Sequence, residues 1–293
     1  MSKKEILDLS DFLNSNIPEN LYHYTTIQGF QGIIDNSEIW MSSLFYLNDK
    51  SEYKLGVELL KKHLNIYKNG FSVLKATKYF VEALESAIQY IESNKSIFIL
   101  SLTANNNLLS QWRGYTNNGI GINLGFKKDF FKNNKLNIFK CIYDIEVQDK
   151  MISHLVTESI FLFVGICHEQ GIFENQDKYE LKEFDKAVTI AGNGFMNRGV
   201  LACSLIKNSH FVEEDEWRVV YSKKELETNF LNRGLYLKPF IKFPIKNLES
   251  IISEINVGPN PEQILCEISI KAFLKKHKLI NSKISCCEIP YRN

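Results

Sequence analysis

The stretch GIGINLGF, residues 119–126, decides between two folds. Glycines at 119, 121 and 125 invite a dinucleotide fingerprint, in which GxGxxG follows a strand and opens a helix so that backbone amides meet a pyrophosphate. This stretch lacks that pattern and opens no helix. Its glycines suit a strand against which other backbone packs closely. The simplest doubly wound nucleotide fold is thereby excluded, while NAD bound in another manner is not.

Outward from this strand, LLSQWRGY (108–115) reads as a short helix or turn, and SIFILSLT (96–103) as a buried strand dense in Ile, Leu and Phe. On the other side, FKCIYDIEV (139–147) reads as a strand and residues 149–195 as a long helical insertion. Near the N-terminus, a short helix over 4–14 precedes the strand LYHYT (21–25), a helix near 26–36 and a strand over 39–43. EYKLGVELLKKHLNIYK and VLKATKYFVEALESAIQYIES repeat apolar residues at three and four, the helical period. RVVYS (218–222), YLKPFIKF (236–243) and LESIISEINVGP (248–259) add strands, PEQILCEISIKAFLKKH a helix, and KISCCEIPY a closing strand. Strands without regular alternation with helices point to an α+β fold.

The 293 residues carry 44% apolar and 12% aromatic side chains, enough for a substantial core. With 6 Pro, 15 Gly and no linker-like tract, one enlarged domain spanning 1–293 is expected. A net charge of +1 gives no global footprint for nucleic acid, although a local groove remains compatible with it. The six cysteines form no CxxC pair and stand at no ligand spacing from histidine, so neither zinc nor a disulfide framework is expected. The N-terminus lacks a signal peptide's apolar core, and no uncharged apolar run reaches 18 residues. A reduced, cytoplasmic protein without membrane contact is the expectation.

Four constellations could carry chemistry. In LYHYTT (21–26), His23 sits within an apolar-aromatic strand, where it is either a histidine satisfied on the sheet or a ligand-binding imidazole. In FVEEDEWRVVY (211–221), Glu214 and Glu216 share a face if the strand extends back to 214. Paired carboxylates suit binding of a sugar hydroxyl; a solvated acidic turn is the plainer alternative. In SLTANNNLLSQWRGY, Ser101 and Thr103 share a strand face, while Trp112 and Tyr115 stand three apart on a helical turn. Those two rings could hold a flat heterocycle or pack into the core. In LNDKSE (47–52), Asn48 or Asp49 caps the next helix. No GxSxG, P-loop or HExxH pattern occurs.

Taken together, LYHYTT with IWMSSLFYLNDKSE, SLTANNNLLSQWRGYTNNGIGINLGF, and KNSHFVEEDEWRVVYS with ISEINVGP resemble a bacterial family, the domain of unknown function numbered 2971. The likeness runs from about residue 20 to about 260 and covers the helical stretch 149–195 least. The chain departs from the family pattern at Gln111, where an apolar residue is usual, and at Phe211 and Glu213 before the Glu-x-Glu. The order of motifs is also similar to that of the ADP-ribosyltransferase superfamily.

That likeness implies a split β-sheet core with additional helices, gripping NAD as a substrate and needing no metal. His23 would hold the adenosine-side ribose, with Tyr24 and Thr25 beside it in the NAD site. Ser101 or Thr103 would support the nicotinamide pocket, Tyr115 with Trp112 would stack on nicotinamide, Glu216 would be catalytic, and Glu214 would serve the acceptor. It implies an NAD-consuming transferase or glycohydrolase, acting as a toxin or phage-defence effector on a macromolecular acceptor. Two alternatives stand beside it: a nucleic-acid-modifying or 2′-phosphotransferase-like enzyme on the same scaffold, and a non-enzymatic nucleotide- or partner-binding module.

Overall fold

The computed structural model describes residues 12–13, 16–47, 51–70, 75–117, 119–172, 184–222 and 227–289. In chain order its main elements are β1 (Asn20–Thr25), α1 (Ile27–Asn36), β2 (Glu38–Ser43), α2 (Ser51–Gly70), α3 (Lys75–Ser93), β3 (Ile97–Thr103), α4 (Leu109–Tyr115), β4 (Ile122–Lys127) and β5 (Ile138–Lys140). There follow α5 (Ile145–Glu169), α6 (Asp185–Leu205), β6 (Glu216–Ser222), β7 (Asn229–Asn232), β8 (Leu237–Pro244), β9 (Ile252–Val257), α7 (Gln263–Lys276) and β10 (Lys283–Cys286). The expected N-terminal helix over 4–14 and the caps Asn48 and Asp49 fall almost wholly outside the described residues.

Two compact units emerge. One is helical and draws on residues 1–14, 48–95 and 142–209; the other holds the sheet and draws on 15–47, 96–141 and 210–293. The helical part is thus larger than the insertion expected at 149–195, because α2 and α3 join α5 and α6. Asp144, not a strand, begins α5: its carboxylate accepts a hydrogen bond from Val147 N at 2.9 Å, an N-cap that ends the expected strand 139–147 at Lys140. By length and apolar composition α5 could cross a bilayer, yet Met151, Ile152, Leu155, Val156, Ile160 and Phe163 are buried within the protein, as in the core helix of a bundle. The ring of Phe163 stacks on Phe80 of α3 at 4.3 Å.

Several buried and half-buried polar side chains of the helical unit are matched to partners. Glu52, from the LNDKSE motif, lies 4.0 Å from Lys207, and both are buried. The Gln148 amide donates to the carbonyls of Ile142 and Lys207 at 2.6 and 2.8 Å. Arg198 donates to Glu158 at 2.6 Å.

The sheet unit is one open, mixed, ten-stranded sheet. Its principal order is β10-β9-β4-β1-β3-β2-β8-β7, with β6 and β5 branching from β3. Among the described strands only β9 and β10 pair in parallel. One edge of β3 is taken along its full length by β6, from Ile97↔Ser222 to Thr103↔Glu216. Its other edge is shared, by β2 at Phe98 and Ile99 and by β1 at Thr103 alone. The expected split core is therefore a continuous sheet, but one whose middle strands β1 and β3 meet at the single pair Tyr22↔Thr103 and then part.

Alternation along β1 divides its side chains between two cores. Leu21 joins the large cluster with Leu124, Phe126, Trp217 and Ile255, whereas Tyr22 and Tyr24 join Trp112 and Cys287. The glycines of the opening stretch serve close packing. A Cβ on Gly121 would come within 2.4 Å of the Thr25 carbonyl oxygen and 2.6 Å of Thr116; one on Gly125 would meet Ser253 Oγ at 2.9 Å. Residues 248–251, expected as strand, form a helical turn ahead of β9, and β7 is a strand the hydropathy pattern did not mark.

Candidate active site

Where β1 leaves β3, the sheet unit holds a cleft lined by Tyr22, His23, Tyr24, Ser101, Leu102, Gln111, Tyr115, Glu214 and Glu216. Its unfilled space is about 340 Å³, part of it open to solvent. Because that figure includes open solvent, the enclosed space falls well below the range usual for small-molecule sites, about 300–1,000 Å³. It can take no more than a small part of a larger ligand.

Continued register would place His23 opposite Leu102 and Tyr24 opposite Ser101, but the pairing stops at Tyr22↔Thr103. The imidazole bridges the gap instead: Nδ1 lies 3.1 Å from the Ser101 carbonyl oxygen. A carbonyl can only accept, so Nδ1 carries the proton and the neutral ring leaves Nε2 as an acceptor. Burial holds this histidine below its ordinary pKa, opposed in part by the Ser101 bond. It is therefore a neutral imidazole with one nitrogen fixed.

Gln111 and Tyr115 of α4 form another wall, and loop 104–108 is tied to Tyr24. The Tyr24 hydroxyl donates to the Asn105 carbonyl and accepts from Leu108 N, both at 3.0 Å. Burial pushes this phenol up to about 12. Tyr24 thus lines the cleft while its hydroxyl anchors the loop. Burial and the neighbouring Glu254 likewise raise Tyr22, which the sequence reading did not select. Its signal was present: Tyr22 and Tyr24 share a face at strand spacing.

Trp112 and Tyr115 part company. Trp112 is 0% exposed, lies edge-on to Tyr24 at 4.7 Å and donates its indole N–H to Asn107 Oδ1 at 3.0 Å. It is a core residue, which corrects its expected role in stacking on a ligand. Tyr115, 37% exposed, is the ring of that pair at the cleft. Thr103 is also structural: its hydroxyl donates to the Glu214 carbonyl at 2.6 Å and accepts from Asn105 N at 3.0 Å, tying the two loops together. Thr25 is outside the lining, and the cap of α1 is Thr26, which accepts from Gly29 N at 3.0 Å.

Glu214 and Glu216 both reach the cleft, though not as two positions of one strand. β6 begins at Glu216; Glu214 ends a 3₁₀ turn over 209–214. Between them Asp215 has φ of +40°, in the left-handed region, and its carboxylate pairs with Lys140 at 2.7 Å. The kink carries Glu214 to the cleft from the turn. Glu216 is not part of a solvated acidic turn: it is 5% exposed, beside Arg218 at 3%. Arg218 Nε and Nη2 donate to its two oxygens at 2.8 and 3.0 Å, a fork that fixes the carboxylate's plane.

Sequence reasoning marked Gln111 only as a departure from a family pattern. It is 7% exposed and lines the cleft, and its amide has no hydrogen-bond partner among the described residues. The residue is buried, yet its amide atoms keep access to the cleft, where water or a ligand can meet them. The Ser101 hydroxyl and His23 Nε2 are similarly uncommitted among the described residues. Among the described residues that line the cleft none is Lys or Arg, and two are carboxylates. The cleft suits a neutral or cationic group better than a phosphate.

No curated protein and no solved structure matches the chain at a significant level. Residues 111–219 match the family model described as protein of unknown function (DUF2971). The matched segment contains Gln111, Tyr115, Glu214 and Glu216, as well as the helices α5 and α6 that the sequence likeness covered least, and leaves His23 and Ser101 outside. This match supports the DUF2971 family for the chain, whose description names no activity.

Proposed function

We propose that the protein consumes NAD, breaking the bond between nicotinamide and ribose and passing ADP-ribose to a macromolecular acceptor or to water. The observation that carries this reading is the meeting of His23, Ser101, Tyr115, Glu214 and Glu216 in one cleft. The motif order resembling ADP-ribosyltransferases supports it from sequence.

The chemistry follows from the residues. The oxidised nicotinamide ring is a cation, and Tyr115 offers it an aromatic face. As the C1′–N bond breaks, its electron pair leaves with nicotinamide and positive charge spreads over C1′ and the ring oxygen, as in glycoside hydrolysis. Glu216, held by the Arg218 fork, accepts a hydrogen bond from the ribose 2′-hydroxyl and stabilises that charge. His23 Nε2, which lines the same cleft, is an acceptor for another hydroxyl of the nicotinamide-side ribose and not of the adenosine-side ribose that the motif likeness implied. Glu214 takes the proton of the incoming acceptor as the new bond to C1′ forms. The pyrophosphate and adenosine lie beyond the cleft, where their charge avoids the two carboxylates. That same absence of lining cations weighs against a 2′-phosphotransferase-like reaction, which must bring phosphate to the site.

A second reading has its own observation: Arg218 already neutralises Glu216, as suits a module that binds a nucleotide without cleaving it. The test incubates the full chain with NAD labelled in the adenosine moiety, with and without cell protein or RNA. Nicotinamide release and label transfer are then followed together. Release above the blank is expected, and Glu214→Gln should reduce transfer more than release. Tight NAD binding with no release under any acceptor condition would leave the binding module in place of the enzyme.

A further inference from the structure

We infer that Gln111 reads a primary carboxamide on a cationic ring, and so selects nicotinamide over its acid counterpart. This rests on the NAD reading above and adds to it the part of the substrate that the cleft recognises. The carrying observation is Gln111 itself: the residue is more than nine-tenths buried and lines the cleft, while its amide, open to the cleft, has no protein partner among the described residues. Buried polar groups in folded proteins are overwhelmingly hydrogen-bonded, so an amide left open at a cleft marks where a ligand supplies the partner.

The chemistry of the partner follows from the donor set. A side-chain amide carries an acceptor oxygen and a donor NH₂ in one plane. A primary carboxamide presents the same set, and the two pair through reciprocal N–H···O=C bonds. A carboxylate in that position offers two acceptors. One would meet the Gln111 NH₂, but the other would oppose the Gln111 oxygen, with Glu214 and Glu216 in the same lining. A lone hydroxyl would satisfy half of the amide. The geometry thus rewards carboxamide and penalises carboxylate, and penalties of this kind discriminate strongly because the rejected ligand leaves a buried group unpaired.

The experiment measures dissociation constants of the full chain for NAD and for nicotinic acid adenine dinucleotide, by calorimetry, in the wild type and in Gln111→Met. Wild type is expected to prefer NAD by about tenfold or more, the scale of one buried hydrogen bond. Gln111→Met should lose that preference and bind the two alike. Thermal melting is the second measurement. With no protein hydrogen bond to lose, Gln111→Met should melt no lower than wild type. If wild type binds NAD and the variant keeps the same preference, Gln111 is not the reader, while the NAD reading stands. If wild type binds neither dinucleotide, the NAD reading fails and this inference goes with it. A variant that melts well below wild type would make Gln111 a structural residue and overturn the inference alone.

Discussion

The two units commit their polar side chains differently, although each also holds buried polar atoms without a partner, such as Thr77 Oγ1 in the helical unit and Asn123 Oδ1 in the sheet unit. In the helical unit Glu52 faces Lys207, Arg198 holds Glu158, His63 lies 3.0 Å from Asp149, and Gln148 donates to two carbonyls. In the cleft of the sheet unit, Gln111, Ser101 and His23 Nε2 are left open among the described residues. Both units contain buried charge, so burial alone does not distinguish a site from a scaffold. What distinguishes it is polarity committed to no neighbour, at a place where the sheet parts. By that criterion Glu216 is mixed: it faces the cleft, yet Arg218 holds both its oxygens as firmly as any pair in the helices.

The largest expected effect tests that mixture. Removing one member of a buried ion pair typically costs about 3–5 kcal/mol, because the other charge is left without compensation. Glu216→Gln should therefore lower the urea midpoint markedly, contrary to what an exposed strand edge would imply. The double variant Glu216→Leu/Arg218→Met should recover most of that loss. If Glu216→Gln is as stable as wild type, the pair is not a structural element, and Glu216 belongs wholly to the cleft. Activity of any Glu216 variant has to be normalised to its folded fraction.

How far the sequence foretold this contrast depends on the range of the interactions involved. β1, β3, the glycine-rich strand and the short α4 were legible because their signals are local: period, β-branching and glycine placement. His23, Ser101, Tyr115 and both glutamates were legible as cleft residues through motif order. Trp112 was misplaced because three-residue spacing puts two rings on one side of a helix but does not say which ring β1 covers. Glu214 and Glu216 were expected on one strand face, which needs extended backbone at Asp215; the left-handed φ there is set by a turn, not by hydropathy. The helical unit draws on segments separated by the sheet strands, a pairing no local pattern encodes. Gln111 left a weaker trace, one amide between Leu109 and Trp112 in a turn otherwise fit for burial.

Glycine placement supplies the next effect in size. A methyl at Gly121 would stand 2.4 Å from backbone oxygen and 2.6 Å from Thr116, and backbone yields less readily than a flexible side chain. Overpacking of this kind costs about 1–3 kcal/mol. Gly121→Ala should lose stability on that scale, whereas Gly114→Ala, whose Cβ would meet nothing within 4 Å, should not lose it. Equal melting of the two variants would remove close packing as the reason for glycine in this stretch. The helical unit offers a matched pair for the comparison: Gly56, whose Cβ would meet Cys203 at 2.8 Å, and Gly165, whose Cβ would meet nothing within 4 Å.

The smallest effect at neutral pH is expected at His23, and the sign of its pH dependence separates an open imidazole from a salt-bridged one. Burial lowers its pKa in the folded protein below the ordinary value of about 6.5. Above that value the ring is neutral in both the folded and the unfolded chain and contributes no pH-dependent term. As pH falls below it, the unfolded chain binds the proton first, so stability declines with falling pH and levels off once the folded ring is also protonated. A histidine held by a carboxylate would behave oppositely, with a raised pKa and stability gained on acidification. Gln in place of His23 keeps a polar group and cannot take the proton. Urea midpoints for wild type and His23→Gln should therefore be similar at pH 7.5 and diverge at pH 5.5, with the wild type losing more. NAD affinity should decline over the same acidic window in the wild type, because protonation converts the Nε2 acceptor into a donor. Parallel pH profiles for the two proteins would mean that His23 does not titrate against the fold, and the neutral acceptor assigned to the cleft would have to be given up.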